Sequence, residues 1–552
     1  MKKIFFALLS ASMVLFAACQ QTGPQVSDDA EVIEARDGAY EVTVQSTGSW
    51  TLEGDVDWMT PSATSGNGGE TIKFTARVNL TGLIRTAEYD LVQNGKKTPL
   101  TFYQKGISPD AATSLSLIEN KGKSARFALS YSTAIEADYK EYGVYYNTQP
   151  DFASATRKSF GTDMAAGVKV FELDGLTDGQ VYFVWPYVQT IDVVEVVGSM
   201  IGLLEPVEVT DIAKLQEAIN TAPEYSEVRV VAGTYYTAEH GVLEMKNNIT
   251  VTGGWDADFT KVEGYTVVDG QTIAGCVNFA EGVTGAAIKN FEVCNSDSNG
   301  KGGIILSGTD AVVANCYVHH CELGGDCGGI YLATGTATVA NCKIMYNTTK
   351  GHGAGLFTAS GTVKVVNCLI AENQSLQTGG YYGGLLLKGG HGVVVNCTIV
   401  KNYCYDETGQ TWPNNGNRGG SWVKAHNNII AGNMARIYTS EDWSIQRDQW
   451  YFQDWNDNCS FATNLIQGGK KGGISDAEWG KNTVVATTYD LTTLFKDYAN
   501  GDYTLNPSAV DAKDKGDAAN ANVAGLIGVY NTDLNGNPRV KGNVDLGCYE
   551  IQ

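Results

Sequence analysis

Lys388 and Lys424 fall at matching places behind two apolar strands, and Arg418, His391 and His426 lie close to them. Metal-independent elimination needs a base to take the proton beside a carboxyl group and a cation to hold the resulting enolate. Lys388, Lys424 and Arg418 are therefore the candidate catalytic residues, with a solvated surface as the ordinary alternative for each lysine. Calcium-assisted elimination would need several Asp or Glu on the strands that carry the cleft, and those strands read as free of carboxylates. Hydrolysis needs paired carboxylates. Glu322, Asp326, Glu372, Asp406 and Glu407 are available, but all lie in segments of variable length and no pair stands out. His319, His320, Cys321, Asp326, Cys327 and His352 group in the sequence and would suit zinc. A Cys321–Cys327 disulfide competes for two of them, so neither a metal nor any other cofactor is assigned.

Binding is the second chemistry on offer. Ile305, Tyr331, Phe357, Leu386 and Trp422 alternate with Ile304, Ile330, Leu356, Leu385 and Ser421. If the second set points inward, the first forms an outward column. With strands about 4.8 Å apart, such a column is on the order of 20 Å long. Aromatic rings pack against the C–H faces of sugars while polar neighbours meet the hydroxyls. Tyr331, Phe357, Tyr381, Tyr382, Trp412, Trp422, Trp443, Trp450 and Trp455 are the candidate binding residues. A reversed alternation, a covering loop, or packing of a small extra domain would each remove the column from solvent.

The elements that must position these residues repeat. A glycine pair opens each unit, its second member falling at Gly303, Gly329, Gly355, Gly384 and Gly420, at intervals of 26, 26, 29 and 36. An asparagine follows at Asn315, Asn341, Asn367, Asn396 and Asn427, then a cysteine at Cys316, Cys342, Cys368 and Cys397. A further column reads Cys321, Asn347, Asn373, Asn402 and Asn433. Self-similarity at this period marks a solenoid, and short strands without helical spacing make it a parallel β-helix. Asparagine tolerates left-handed backbone and can stack its amide from coil to coil, so both asparagine columns are expected to be structural ladders. The cysteines sit among apolar residues and are expected to point inward. Thr210 is the expected N-cap of a helix that covers the first coil with Ile212, Leu215 and Ile219.

This repeat resembles the right-handed parallel β-helix of pectate lyase-like proteins. Asn506–Ala512, Asp533–Arg539 and Val544–Glu550 resemble the C-terminal coils of the choice-of-anchor Q type, with Cys548 where alanine is usual. Gly351-His352-Gly353 is similar to a polygalacturonase motif, but it falls on the repeat's glycine turn and its acidic partner motifs are missing, so it is set aside.

Two smaller β modules precede the repeat. Trp50, Trp58, the run Ser65–Gly69, Asn79, Arg85 and Phe102–Gly106 resemble the BACON domain of Bacteroidetes carbohydrate-active proteins, with the two tryptophans expected in its core. Leu173-Asp174-Gly175-Leu176 followed by Tyr182 resembles the tyrosine corner of fibronectin type III-like sandwiches. Ahead of both, Lys2 and Lys3 precede the apolar run Ile4–Phe16, with Ala17-Ala18-Cys19 after it. That layout is a secretory signal, too short to span a bilayer, and it resembles a bacterial lipobox with Cys19 as the lipidated residue.

The expected organisation is a signal peptide at 1–18, a linker at 19–29, a BACON-like sandwich at 30–106, a fibronectin type III-like sandwich at 107–205 and the β-helix at 206–552. The fold class is all-β. Of 552 residues, 39 are Lys or Arg and 61 are Asp or Glu, giving a net charge of −22. Nucleic acid, bound through Lys and Arg on phosphates, is thereby excluded as a partner, and 64 glycines accord with many tight turns. With 12 cysteines and one of them lipidated, an odd eleven remain. The expectation is an outer-membrane lipoprotein on the cell surface or periplasmic face, meeting the membrane only through its anchor, whose β-helix binds a polysaccharide. Cleavage of that polysaccharide stays open, and the alternatives are a noncatalytic glycan-binding protein and a surface adhesin or structural protein.

Overall fold

The computed structural model describes the chain from 24 to 551, except for 25, 28–29, 34–38, 55, 57, 78–84, 105–112, 132–138, 163–167, 179, 191–194, 199, 298–301, 377–381, 389, 405–410, 414–422, 436–443, 446–450, 453–458, 470, 473, 518–531 and 538–543. Cys19, Tyr381, Arg418, Trp422, Trp443, Trp450 and Trp455 fall outside the described residues.

Two pairs of sheets come first. In the first, a five-stranded sheet faces a three-stranded one made of Ala39–Thr43, Thr71–Ala76 and Met59–Pro61. Strict alternation along Ser49–Glu53 and Thr71–Ala76 sends Trp50, Leu52, Ile72 and Phe74 inward. Trp50 is buried and its indole donates to the Asn67 carbonyl at 3.0 Å, while half-buried Trp58 packs on the same core. The second pair places Val168–Asp174, Ser124–Tyr131 and Thr113–Asn120 in one sheet, and Thr156–Gly161, Tyr139–Asn147, Tyr182–Thr190 and Glu195–Val197 in the other. The Tyr182 hydroxyl accepts from the backbone N–H of Thr177 at 3.2 Å, tying the start of its strand to the preceding turn.

From Val207 to Val485 three long sheets of parallel strands stack coil on coil. Among the described residues, antiparallel strand pairing occurs only at the margins, as between Met434–Ala435 and Ser444–Ile445 and between Phe495–Asp497 and Asp502–Leu505. Ten strands from Val207–Val209 to Ser460–Ala462 form one sheet, the Ala/Val sheet. Ten from Thr234–Tyr236 to Thr483–Val485 form another, the post-cysteine sheet. Seven from Leu243–Glu244 to Thr411–Pro413 form the glycine-pair sheet, and a ladder of six very short strands lies at a corner. One apolar core runs through the coils from Val209 to Ile474. The N-terminal end is closed by a 3-10 turn, Ile212–Lys214, and the helix Leu215–Thr221, whose Leu215 and Ile219 are buried. The cap is Asp211 rather than Thr210: its carboxylate accepts from the Ala213 N–H at 3.2 Å, and its extended backbone stands just ahead of the first turn.

The two asparagine columns differ in role. Asn315, Asn341, Asn367, Asn396 and Asn427 all take left-handed backbone, φ 53, 52, 53, 55 and 58°, at the bend between the Ala/Val and post-cysteine sheets. Their backbone N–H groups donate to the next coil, as Asn341 does to Val366 at 3.0 Å. They do not form the expected amide ladder; Asn315 is exposed, and the Nδ2 of Asn427 donates instead to the Asp517 carbonyl of the C-terminal segment. The ladder belongs to the other column. Asn347, Asn373 and Asn402 each pass Nδ2 to the Oδ1 of the next member, ending on Asn433, at 2.9 Å throughout. The same Oδ1 atoms accept backbone N–H groups at 3.0 to 3.1 Å.

Cys316, Cys342, Cys368 and Cys397 point into the core, and among the described residues Cys321 and Cys327 are not joined by a disulfide. Beyond Cys397 the same slot is held by Asn428, Asn464 and Asn482, linked Nδ2 to Oδ1 at 2.8 Å. Outside the coils, the C-terminal segment lies on the post-cysteine sheet through Leu491, Leu494, Phe495, Tyr503, Leu505 and Leu546, packed on Leu369, Val400, Ile429 and Leu465.

Candidate functional site

The glycine-pair sheet sends Ile304, Ile330, Leu356 and Leu385 into the core and their successors outward. In register, the outward column reads Glu244, Asn278, Ile305, Tyr331, Phe357 and Leu386, and the residue paired with Leu386 on the following strand is Trp412. Trp412 occupies the place expected for Trp422, because the strand that follows Leu385–Leu387 is Thr411–Pro413.

The column is open only in part. Phe357 and Leu386 are each 1% exposed, beneath Leu323, Cys327 and Tyr382. Tyr382, expected to meet a ligand, is itself 1% exposed and belongs to this cover. Glu244, Asn278, Ile305 and Tyr331 remain half-exposed. Three strand spacings of about 4.8 Å make this open stretch on the order of 14 Å long. Beside its first strands lies a shallow depression lined by Val242, Glu244, Cys276, Val277, Asn278 and Ile305. Asn278 Nδ2 donates to Glu244 Oε2 at 2.8 Å, and the Gln216 amide bonds the Glu244 backbone at both N–H and C=O, fixing the strand edge. Glu244 is a carboxylate on a strand that precedes the glycine-pair strands read from the sequence.

Charged groups gather at the Tyr331 end. The Tyr331 and Phe357 rings lie 5.5 Å apart at 33°, and Lys388 Nζ stands 5.8 Å from the Phe357 centroid. Asp326 Oδ1 accepts the His352 backbone N–H at 3.0 Å. Burial pushes the His352 imidazole below its usual range, Asp326 pulls it up and Lys388 pushes it down. Burial, then the neighbouring Asp326 and Cys327, push the Tyr331 hydroxyl up. The arrangement is an aromatic pair flanked by a carboxylate, a neutral imidazole able to take a proton, and an exposed ammonium.

Lys424 is not equivalent to Lys388. It lies half-buried in Val423–His426 of the Ala/Val sheet, in register with Val393 and Ser460. His426 beside it is buried, its Nε2 2.7 Å from the Ser460 hydroxyl. Glu372 is committed elsewhere, paired with Lys401 Nζ at 2.9 Å and with the Tyr503 hydroxyl. The His and Cys residues that group in the sequence separate in the fold. His319 lies on the outer face of the post-cysteine sheet, Cys321 in the core, and Asp326, Cys327 and His352 beside the glycine-pair sheet.

Glu244, Asn278 and His352 escape a repeat-based reading. The first two precede the regular glycine pairs, and His352 sits within a glycine turn that explains itself structurally. The alternation of Leu243-Glu244 and Val277-Asn278-Phe279 is the signal that places them.

Parallel sheets wound coil on coil over one core define this part of the chain as a right-handed parallel β-helix. Residues 247–488 match the family described as right handed beta helix region, and residues 48–105 match BACON, a putative binding domain, N-terminal. No curated protein matches the chain. Among solved structures, the Yersinia enterocolitica Family 28 exopolygalacturonase is similar at 12% identity over 68% of this chain and 84% of its own, with a TM-score of 0.25. The Bacteroides ovatus GH5 xyloglucanase in complex with a XXXG heptasaccharide is 21% identical over 15% of this chain, with a TM-score of 0.15, and the chain spans 19% of that enzyme's length. The chicken CNTN1 FN1-FN3 domains are 9% identical over 33% of this chain and 66% of theirs, with a TM-score of 0.16.

Proposed function

We propose that the outer face of the glycine-pair sheet binds a polysaccharide. The observation that carries this reading is the open run Glu244–Asn278–Ile305–Tyr331, which sets a carboxylate and an amide at one end of a straight strip and an aromatic ring at the other. Sugars need that combination: hydroxyls take the polar groups and a C–H face takes the ring. The BACON match to a putative binding domain agrees with it. Retention on a panel of immobilised neutral and acidic polysaccharides tests the reading, with Tyr331→Ala expected to lose the ligand that wild type holds. Full retention by Tyr331→Ala, or retention of no glycan by wild type, overturns it.

A second reading, cleavage of the bound chain, rests on Asp326, His352 and Lys388 grouped beside the Tyr331 ring. Release of reducing ends or unsaturated products, abolished in His352→Ala with binding kept, is the expected result; no product from a glycan that is bound excludes it. The proposal also includes attachment to the outer membrane through Cys19, supported by the charged and apolar run ahead of it. Metabolic lipid labelling lost in Cys19→Ala tests that part.

A further inference from the structure

On the outer face of the post-cysteine sheet, away from the glycine-pair strip, two adjacent strands bring three different metal-donor groups together. Phe291–Cys294 and Tyr317–His319 pair in parallel, with Cys294 opposite His319 and Glu292 opposite Tyr317. Val293 and Val318 point into the core, so Glu292, Cys294 and His319 share the outward face. One carboxylate oxygen, one thiol sulfur and one imidazole nitrogen there all lie within 4.8 Å of one another.

We propose that Glu292, Cys294 and His319 form a zinc site with a fourth position left to water. His319 Nε2 stands 3.1 Å from Glu292 Oε1. Two ligands at about 2.0–2.1 Å from a tetrahedral zinc are themselves separated by roughly 3.3 Å, so this edge of the tetrahedron is already formed. The other ring nitrogen is held as well: His319 Nδ1 lies 2.7 Å from His320 Nδ1, a contact that one shared proton makes favourable. With that proton on His319 Nδ1, Nε2 is left bare for a metal, the arrangement that ligating histidines ordinarily have. Tyr317 packs on the His319 ring at 4.1 Å between centroids and fixes its plane.

The charge balance points the same way. Asp269 stands opposite Cys294 on the next strand, its Oδ1 taking Asn295 Nδ2 at 3.1 Å and the Gln271 N–H at 2.8 Å. Asn295 Nδ2 also reaches Cys294 Sγ at 3.5 Å. Two carboxylates thus flank a thiol, a setting that resists a thiolate until a cation arrives. Nitrogen, sulfur and oxygen donors in one set are those zinc takes in protein sites, and three protein ligands leave the open position. Binding would displace the Cys294 proton to solvent, so uptake releases acid.

The test uses the full-length protein without an affinity tag, freed of metal by chelator and titrated with zinc or cobalt. Expected are one equivalent bound per chain, a zinc-dependent rise in melting temperature and, with cobalt, the near-ultraviolet charge-transfer absorption of a thiolate ligand. Cys294→Ser should abolish that absorption, Cys459→Ser should keep it, and His320→Ala should weaken zinc binding by about 10- to 100-fold. A band that survives in Cys294→Ser, or a natively folded wild type that takes up no stoichiometric metal, overturns the proposal. Should Cys294→Ser fail to fold, Glu292→Gln and the metal-dependent melting shift of wild type decide it by the same criteria.

Discussion

The methyl group that Gly355 lacks would stand 2.9 Å from Nδ2 of Asn373. Gly329 and Asn347, and Gly384 and Asn402, repeat the relationship at 3.0 and 2.8 Å, so the glycine pair and the asparagine ladder are two halves of one device. The chain must come this close for each amide to reach both the next coil's Oδ1 and a backbone carbonyl, as Asn373 does with Asn402 at 2.9 Å and Ile344 at 2.8 Å.

Gly355→Ala should therefore destabilise the β-helix by about 1–3 kcal/mol through crowding. Asn373→Ala should cost more, about 3 kcal/mol, because it orphans buried groups on two coils. Chemical denaturation of the two single variants and the double variant checks this. The double should cost less than the sum by only part of the crowding, since removing the amide relieves its contact at 2.9 Å but leaves the Gly384 carbonyl oxygen 2.5 Å from the added methyl.

Tyr503 and Glu372 clamp the C-terminal segment onto the coils. The tyrosine hydroxyl donates to Glu372 Oε1 at 2.5 Å, beside the Lys401 pair. Tyr503→Phe should lose about 1.5–3 kcal/mol, the range for hydrogen bonds to charged groups. Burial and Glu372 both push the Tyr503 hydroxyl upward. A folded-state pKa above the unfolded one means full stabilisation below about pH 10 and loss as pH rises beyond it, so alkaline melting curves should separate wild type from the phenylalanine variant.

His426 should give an acid-side signature. Burial, helped by Lys424, pushes its imidazole down to about 4. A depressed folded-state pKa leaves the stabilisation intact above about 6.5 and removes it as pH falls toward 4, by about 3 kcal/mol across the window. His426→Asn, compared with wild type by denaturant midpoint at pH 7 and pH 4.5, should show a shallower loss; equal slopes would refute the assignment.

At the strip, Asp326→Asn and Lys388→Ala change charge beside Tyr331 without touching the core. If the ligand is neutral, each should alter glycan affinity less than threefold, whereas Tyr331→Ala should reduce it about tenfold or more. Isothermal titration at two salt concentrations separates the cases, because an acidic glycan would make Lys388→Ala both costly and salt-sensitive.

The repeat was legible because its physics is periodic. Identical coils impose identical demands, so Gly329, Gly355 and Gly384 appear at the same distance from Asn347, Asn373 and Asn402. The site was less legible because it depends on where periodicity fails. Glu244 and Asn278 precede the regular spacing. The cover formed by Leu323, Cys327 and Tyr382 comes from segments whose lengths differ, and alternation along a strand cannot reveal what lies above it. Trp412, in a strand outside the regular glycine-pair spacing, takes the column position expected for Trp422 by pairing with Leu386. Lys388 and Lys424, which follow apolar runs that read alike, part company because their strands belong to different sheets.

Gly329 and Gly355, Asn341 and Asn367, and Cys342 and Cys368 are all separated by the same 26 residues. Excising Ile330–Gly355 would join Gly329 to Leu356 and bring every glycine, asparagine and cysteine of the neighbouring turns back into line. Length is thus an adjustable quantity in this molecule: a whole turn can be gained or lost by recombination between like sequences without composing a new core. The distance between the depression at Glu244 and the charged cluster at Lys388 is the property such an event would change, in single steps of about 4.8 Å.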